Sequence, residues 1–180
     1  MASPQLTFEQ VQQLSTAVVQ YIAGQREAFL PASVALTLEQ RETMEGFFVP
    51  QVLDGTRLVV LQNSRVQNPD FYPQLRQLGF RNLPDFGLMA GITFGDVVVA
   101  HQPYTHGLLF HELVHVEQYR QLGIPLFSNL YVRGFLTGGG YEGIPLERNA
   151  YAFGARFEAN PHQRFSVADE VLEWVRNGRF

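Results

Sequence analysis

The five residues His111-Glu112-Leu113-Val114-His115 form the pattern H-E-x-x-H, and the predictions for the rest of the fold start from the helix that contains them. Residues four apart lie nearly above one another on an α-helix, so a helix here presents both imidazoles on one face. Most of the remaining circumference is apolar, with Leu109, Phe110, Leu113, Val114 and Val116. We therefore predict a helix that is buried on nearly every side except the one that carries the histidines.

The ends of this helix are also marked in the sequence. Thr105 can act as the N-cap, and Gly123 stands where a left-handed residue ends a helix. Gln118 falls on the histidine face one turn beyond His115, so it can orient a ligand through a hydrogen bond. Glu117 points elsewhere and is a poor candidate for a ligand.

Two neutral imidazoles on one helical face are suited to a zinc ion. Glu112 is rotated by about 100° from His111, so it can stand beside the metal and take a proton from bound water. The pattern thus predicts His111 and His115 as metal ligands and Glu112 as the catalytic general base. The alternative is an accidental match, because three fixed letters in five are a weak signal on their own.

A catalytic zinc site with two histidines usually has a third protein ligand and leaves one position for water. Glu147 is the best candidate, because Pro145 fits the first turn of a helix that would run to about Ala159 and stop at Asn160-Pro161. A glutamate in that first turn can face back toward the histidines. The other candidates are Glu142, Glu158 and His162.

The segments 109–119 and 145–151 resemble the gluzincin class of zinc metallopeptidases, in which H-E-x-x-H is followed by a downstream glutamate. They are most similar to small, mostly uncharacterised bacterial metallopeptidases, which the segment 91–96 also resembles. The resemblance spans residues 91–151 and implies a zincin-like fold and peptidase activity. The chain differs at Tyr151, where thermolysin-like gluzincins have an aspartate, and it has no clear equivalent of their transition-state histidine.

Composition narrows the class of protein further. The chain has 180 residues, of which 46% are hydrophobic and 17% charged, which predicts one globular domain over residues 1–180. The resemblance implies that this single domain is a zincin-like metallopeptidase. The net charge of −4 and the lack of a Lys/Arg run argue against nucleic-acid binding, and no apolar run is long enough for a membrane span. There are no cysteines and no signal-peptide pattern, so we expect a cytoplasmic location. The sequence carries no indication of oligomeric state.

The remaining segments predict an α+β fold, mostly helical, with a small β-sheet packed on the H-E-x-x-H helix. Capping boxes at Thr7 and Thr37 open helices, the first of which we expect to end at Gly24. Short β-rich runs predict a strand over 57–61 and, over 92–99, either a hairpin or one strand with a bulge. An edge strand there could pair with an extended peptide. Helices are further predicted over 71–79, 125–136 and 166–177. Four aromatic residues are expected in the core rather than in a substrate pocket, namely Phe71, Tyr72, Phe80 and Phe86.

We expect a zinc-dependent hydrolase, acting as a peptidase on a peptide or protein substrate through metal-activated water and the Glu112 base. Tyr119, Tyr141 and Tyr151 are candidates to stabilise the oxyanion, although packing is the expected role of any one of them. The alternative is a catalytically inactive zincin-like module that binds metal or another protein.

Overall fold

The computed structural model describes residues 4–179. Its helices and strands follow in the order α1 Phe8–Phe29, α2 Leu38–Met44, α3 Pro50–Gly55, β1 Arg57–Val60, α4 Tyr72–Gln77, β2 Gly91–Phe94, β3 Val97–Ala100, α5 His106–Gly138, α6 Pro145–Ala159 and α7 Val167–Arg176. Short 3-10 turns lie at Leu30–Ala32, Phe86–Leu88 and Tyr141–Gly143. The structure is therefore mostly helical with a small sheet, which confirms the predicted α+β class.

The sheet has three strands in the order β1-β3-β2. β2 and β3 form the predicted antiparallel hairpin, which turns at Gly95 with φ of +70°, and β1 lies parallel to β3. All four residues of β3 are buried because both faces of this central strand are covered. Leu58 and Val98 pack with Leu109 and Leu113 of α5, so the sheet rests on the helix that carries the histidines, as predicted.

The helix α5 is interrupted at Gly123, where φ is +69° and ψ is +159°. The predicted end of the histidine helix is therefore correct, and a second helical half begins at once with Pro125 near its start. Thr105 caps the first half as predicted, because its hydroxyl accepts a hydrogen bond from the amide of Leu108 at 3.1 Å.

The expected end of α1 at Gly24 is wrong, because the helix continues to Phe29. Contacts beyond the glycine explain the extension. The guanidinium of Arg26 donates two hydrogen bonds to the Asp96 carboxylate, and the ring of Phe29 stacks on Phe94 with centroids 6.2 Å apart. These tertiary contacts outweigh the low helix propensity of one glycine.

The other predicted elements are present with small shifts in their ends. α6 has the predicted bounds, and α7 begins after Ser166, whose hydroxyl accepts from the amide of Asp169. Over residues 4–179, none of the helices combines the length and the apolar character that crossing a membrane requires.

Candidate metal centre

The first half of α5 places two imidazoles side by side. The Nε2 atoms of His111 and His115 lie 3.2 Å apart. This closeness follows from the four-residue spacing, which puts both side chains over the same stripe of the helix. His115 is buried, and His111 is partly exposed.

The helix α6 brings the Glu147 carboxylate to the same point. Its Oε2 atom lies 3.3 Å from Nε2 of His115 and 3.6 Å from Nε2 of His111. α5 and α6 approach closely at Gly134, where a β-carbon would come within 2.6 Å of the Pro145 ring. His111, His115 and Glu147 thus form a group that could hold a metal ion, with ligand atoms all within 4.8 Å of one another.

Hydrogen bonds around Gln118 determine which nitrogen of His115 faces this group. The amide nitrogen of Gln118 donates to the Leu146 carbonyl and to Oδ1 of Asn149, each at 3.0 Å. The amide oxygen of Gln118 therefore faces Nδ1 of His115 at 2.8 Å, so Nδ1 carries the hydrogen and donates it. The lone pair of Nε2 then points toward Glu147, and the predicted orienting role of Gln118 is matched by this geometry.

Without a shared cation or proton, this arrangement is electrostatically unfavourable. Nε2 of His115 and Oε2 of Glu147 both present lone pairs, and Oε2 is buried without a hydrogen-bond partner. A buried acceptor that lacks a partner costs about 1–3 kcal/mol. The donor set and the orphaned carboxylate oxygen therefore fit a bound cation.

The pKa values of His115 and Glu147 show that each group stabilises the charged form of the other. Burial lowers the pKa of His115, but the Glu147 carboxylate, together with Glu112 and Gln118, outweighs burial and raises that pKa to about 9. Burial raises the pKa of Glu147, but the two histidines, once protonated at Nε2, outweigh burial through their charge and hydrogen bonds and bring that pKa below its usual range. Without a metal, the protein thus holds a proton at the position that a cation could occupy.

Glu112 lies beside this group but takes no part in it. Oε2 of its carboxylate accepts a hydrogen bond from the Thr93 hydroxyl at 2.7 Å, which ties the helix to strand β2. A β-carbon at Gly91 would lie only 2.7 Å from the other oxygen, so the strand needs glycine there to leave room for the carboxylate. Burial raises the pKa of Glu112 despite the two nearby histidines, which brings a carboxylate toward the range of a general base at neutral pH.

The alternative third ligands lie outside the group. Glu142, Glu158 and His162 are exposed, and none belongs to the clustered residues that could hold a metal. His101 has both ring nitrogens engaged, since Nε2 accepts from the amide of Val66 and Nδ1 contacts the Met89 carbonyl at 2.6 Å. Glu117 pairs with Arg120 and points away from the histidines, as predicted.

The three candidate tyrosines fall in different places. The ring of Tyr151 packs on the His111 ring with centroids 4.5 Å apart, so it supports that imidazole by contact. Tyr119 and Tyr141 line a cavity together with His111, Glu112, His115 and Glu147. Burial, followed by the charge of Glu147, raises the pKa of Tyr141, so its hydroxyl keeps its proton and can donate it.

That cavity is the feature that sequence reasoning missed. It has a volume of about 110 Å³ and is lined by α1, α4 and both halves of α5 as well as by the metal centre. The four aromatics expected only in the core, Phe71, Tyr72, Phe80 and Phe86, all line it. Apolar side chains are buried both in the wall of a cavity and in a filled hydrophobic core, so the residue types alone could not distinguish the two positions.

Comparison with protein-family models, with curated proteins and with solved structures finds no match to this chain. The likeness to gluzincins therefore rests on the motif residues, and the case for function rests on the geometry of His111, His115, Glu147 and Glu112.

Proposed function

We propose that the protein is a zinc-dependent hydrolase of the gluzincin kind, with a zincin-like arrangement around the H-E-x-x-H helix, and that it cleaves amide bonds as a peptidase. The observation that carries the proposal is the convergence of two imidazoles and one carboxylate on a single point, with a second buried carboxylate beside them. His111, His115 and Glu147 would hold the metal, and Glu112 would serve as general base.

The spacing of the three ligand atoms supports zinc. Zinc binds nitrogen and oxygen ligands at about 2.0–2.2 Å in tetrahedral sites, which places neighbouring ligand atoms about 3.3–3.5 Å apart. The three separations here are 3.2, 3.3 and 3.6 Å. Two imidazoles and one carboxylate are also a donor set typical of catalytic zinc, with one position left for water or substrate.

A zinc ion in this position would polarise a substrate carbonyl and lower the pKa of a water molecule. The Glu112 carboxylate would take a proton from the attacking water and deliver it to the leaving amine. Its hydrogen bond from Thr93 holds the carboxylate beside the histidines, so the base is positioned before substrate arrives. Tyr141 would be the hydrogen-bond donor to the developing oxyanion, since it lines the same cavity and its hydroxyl keeps its proton.

Strand β2 supports a peptide as substrate. It carries Gly91 and Thr93 beside the Glu112 carboxylate, and among the described residues it pairs with a strand on one side only. An extended peptide that pairs with the other edge would pass close to the metal centre. Main-chain pairing is a recognition mode open to peptides and not to substrates without a peptide backbone.

The metal site is tested by the zinc content of the purified protein, measured by mass spectrometry of the metal. We expect one zinc per chain in the wild type and in Glu158→Ala, which removes an exposed carboxylate from the same helix. We expect zinc to be lost from Glu147→Ala. Zinc retained by Glu147→Ala would move the third ligand elsewhere, and a wild type that takes up no zinc when supplied with it would end the proposal.

The chemistry is tested by incubating the zinc-loaded protein with a peptide library and identifying cut sites by mass spectrometry. Glu112→Gln should keep its zinc and lose about 10²–10⁴-fold in rate, because the amide cannot accept the proton. Glu142→Gln, at an exposed position, should cleave like the wild type. Turnover retained by Glu112→Gln would contradict the assigned base, and a zinc-loaded protein with no cut sites would favour a binding module.

A further inference from the structure

The cavity beside the metal centre continues well beyond the residues that the proposed reaction uses. On α1 its wall runs from Leu14 to Ile22, which corresponds to about 12 Å along the helix. On the second half of α5 it runs from Phe127 to Leu136, about 13 Å. Both walls are longer than the reach of any single amino-acid side chain.

The walls are apolar along this whole length. Among the described residues, the charged or ionisable side chains that line the cavity, apart from tyrosines, are those of His111, His115, Glu147 and the neighbouring Glu112. The Tyr21 hydroxyl donates to the Gln67 carbonyl at 2.7 Å, and burial raises the pKa of Tyr21 and of Tyr72, so both stay neutral. A charged group that entered would lose its hydration without compensation, whereas an apolar group would gain from burial.

The cavity also borders two groups of core residues. Tyr72, Leu75 and Phe80 form a hydrophobic cluster of their own, apart from the one that contains Phe94 and Phe127. Residues of both clusters line the space between them. A chain that filled this space would contact both clusters, which is a favourable position for an apolar ligand.

We propose that the cavity binds an extended, uncharged alkyl chain joined to the carbonyl group that is hydrolysed. The substrates are then acyl amides in which an alkyl acyl group is attached to the amine of an amino acid or peptide. Water adds its oxygen to the carbonyl carbon, the C–N bond breaks, and a carboxylic acid and a free amine are released, with Glu112 transferring the proton to the amine. This inference rests on the proposed hydrolase function, which supplies the reacting centre.

Chain binding is tested apart from turnover with two series of probes. Alkyl hydroxamic acids of two to eight carbons are titrated into the zinc-loaded protein by calorimetry, and 1-butanol, 1-hexanol and 1-octanol into the metal-free protein. We expect the Kd to fall by up to about fourfold per added methylene in both series, because each methylene leaves water. A Kd that is independent of chain length, in one series or in both, would overturn the proposal.

Variants locate the chain in the cavity. Val18→Trp places a large ring on the α1 wall and should flatten the dependence on chain length, while the Kd of acetohydroxamic acid stays within about twofold. Leu14→Phe is a milder change of the same kind, in case Val18→Trp fails to fold. Gln20→Trp adds the same ring to the exposed side of α1 and should behave as the wild type. A steep dependence retained by folded Val18→Trp and Leu14→Phe would also overturn the proposal.

Turnover then separates the two proposals. We expect octanoyl-Gly-Gly to be hydrolysed to octanoic acid and Gly-Gly at least tenfold faster than acetyl-Gly-Gly, and faster than acetyl-Phe-Gly-Gly is cut after phenylalanine. A preference for the phenylalanine peptide would assign the cavity to a peptide side chain and contradict the alkyl-chain proposal. A rising hydroxamate series without any turnover would support the chain site and contradict the hydrolase function.

Discussion

The two halves of α5, which meet at Gly123, lie in different surroundings. In the first half Leu109 and Phe110 are fully buried, and the ring of Phe110 stacks on Phe157 of α6 with centroids 4.4 Å apart. In the second half Phe127 and Phe135 line the cavity that borders two hydrophobic clusters. One helix thus carries a closely packed region and a region that borders a cavity.

This difference fits the two roles that we propose for these regions. Metal ligands must be kept within a few tenths of an ångström, and dense packing with complete hydrogen bonding is what restricts their side chains. A space for an apolar group must instead remain unfilled by the protein's own side chains. The break at Gly123 allows the second half to change direction and leave that space, while the first half stays packed against α6.

The largest expected effect is the loss of stability when a buried side chain is truncated in the packed first half of α5. The comparison is the same truncation in the wall of the cavity. Leu109→Ala should lower the free energy of unfolding by about 2–5 kcal/mol, because the leucine is fully buried in a closely packed cluster. Leu75→Ala, in the cavity wall, should cost nearer the lower end of that range, because it gives up fewer contacts. Urea denaturation measures both, and equal losses would show that the two regions are packed alike.

The next effect concerns the orientation of His115. Gln118→Ala removes the acceptor of the Nδ1 hydrogen and should weaken zinc binding about 10–100-fold. Gln121→Ala is the matched control, since Gln121 lies on the same helix and donates to the Ala168 carbonyl instead. Competition with a chelator gives both affinities. Unchanged zinc binding by Gln118→Ala would show that the ring is held by packing alone.

The pH dependence of zinc binding should show the proton that the metal-free site holds. His115 has a pKa of about 9, so it is protonated at pH 7, and zinc binds only the neutral ring. The apparent zinc affinity should therefore rise about tenfold per pH unit between pH 7 and 8.5, with release of about one proton per zinc. Calorimetry in buffers of different ionisation enthalpy counts that proton. An affinity that is constant over this range would contradict the raised pKa.

The smallest expected effect lies in the helix that covers the cavity. Gly24→Ala should stabilise the protein by about 0.5–1 kcal/mol, because Gly24 lies inside α1 and a β-carbon there meets nothing within 4 Å. Gly123→Ala should destabilise it, because φ of +69° at the break is strained for alanine. Thermal unfolding of both variants checks this, and stabilisation by Gly123→Ala would contradict the role of the glycine in the break.

Local signals predicted much of the fold because they act over a few residues. Capping at Thr105, the break at Gly123 and the start of α6 at Pro145 follow from side chains that bond or restrict the neighbouring backbone. Gly24 shows where such reasoning fails. Its local preference favoured an end to the helix, and the distant contacts of Arg26 and Phe29 continued it.

The candidate site divides in the same way. The shared helical face of His111 and His115, with Glu112 beside them, follows from local sequence alone, because a helix relates residues four apart by its own geometry. Long-range packing brings Glu147 to the same point, lets Thr93 of β2 hold the Glu112 carboxylate, and leaves an apolar cavity between α1, α4 and the candidate metal centre. These relations join segments far apart in the chain, and they depend on how helices and strands pack, which no local pattern encodes.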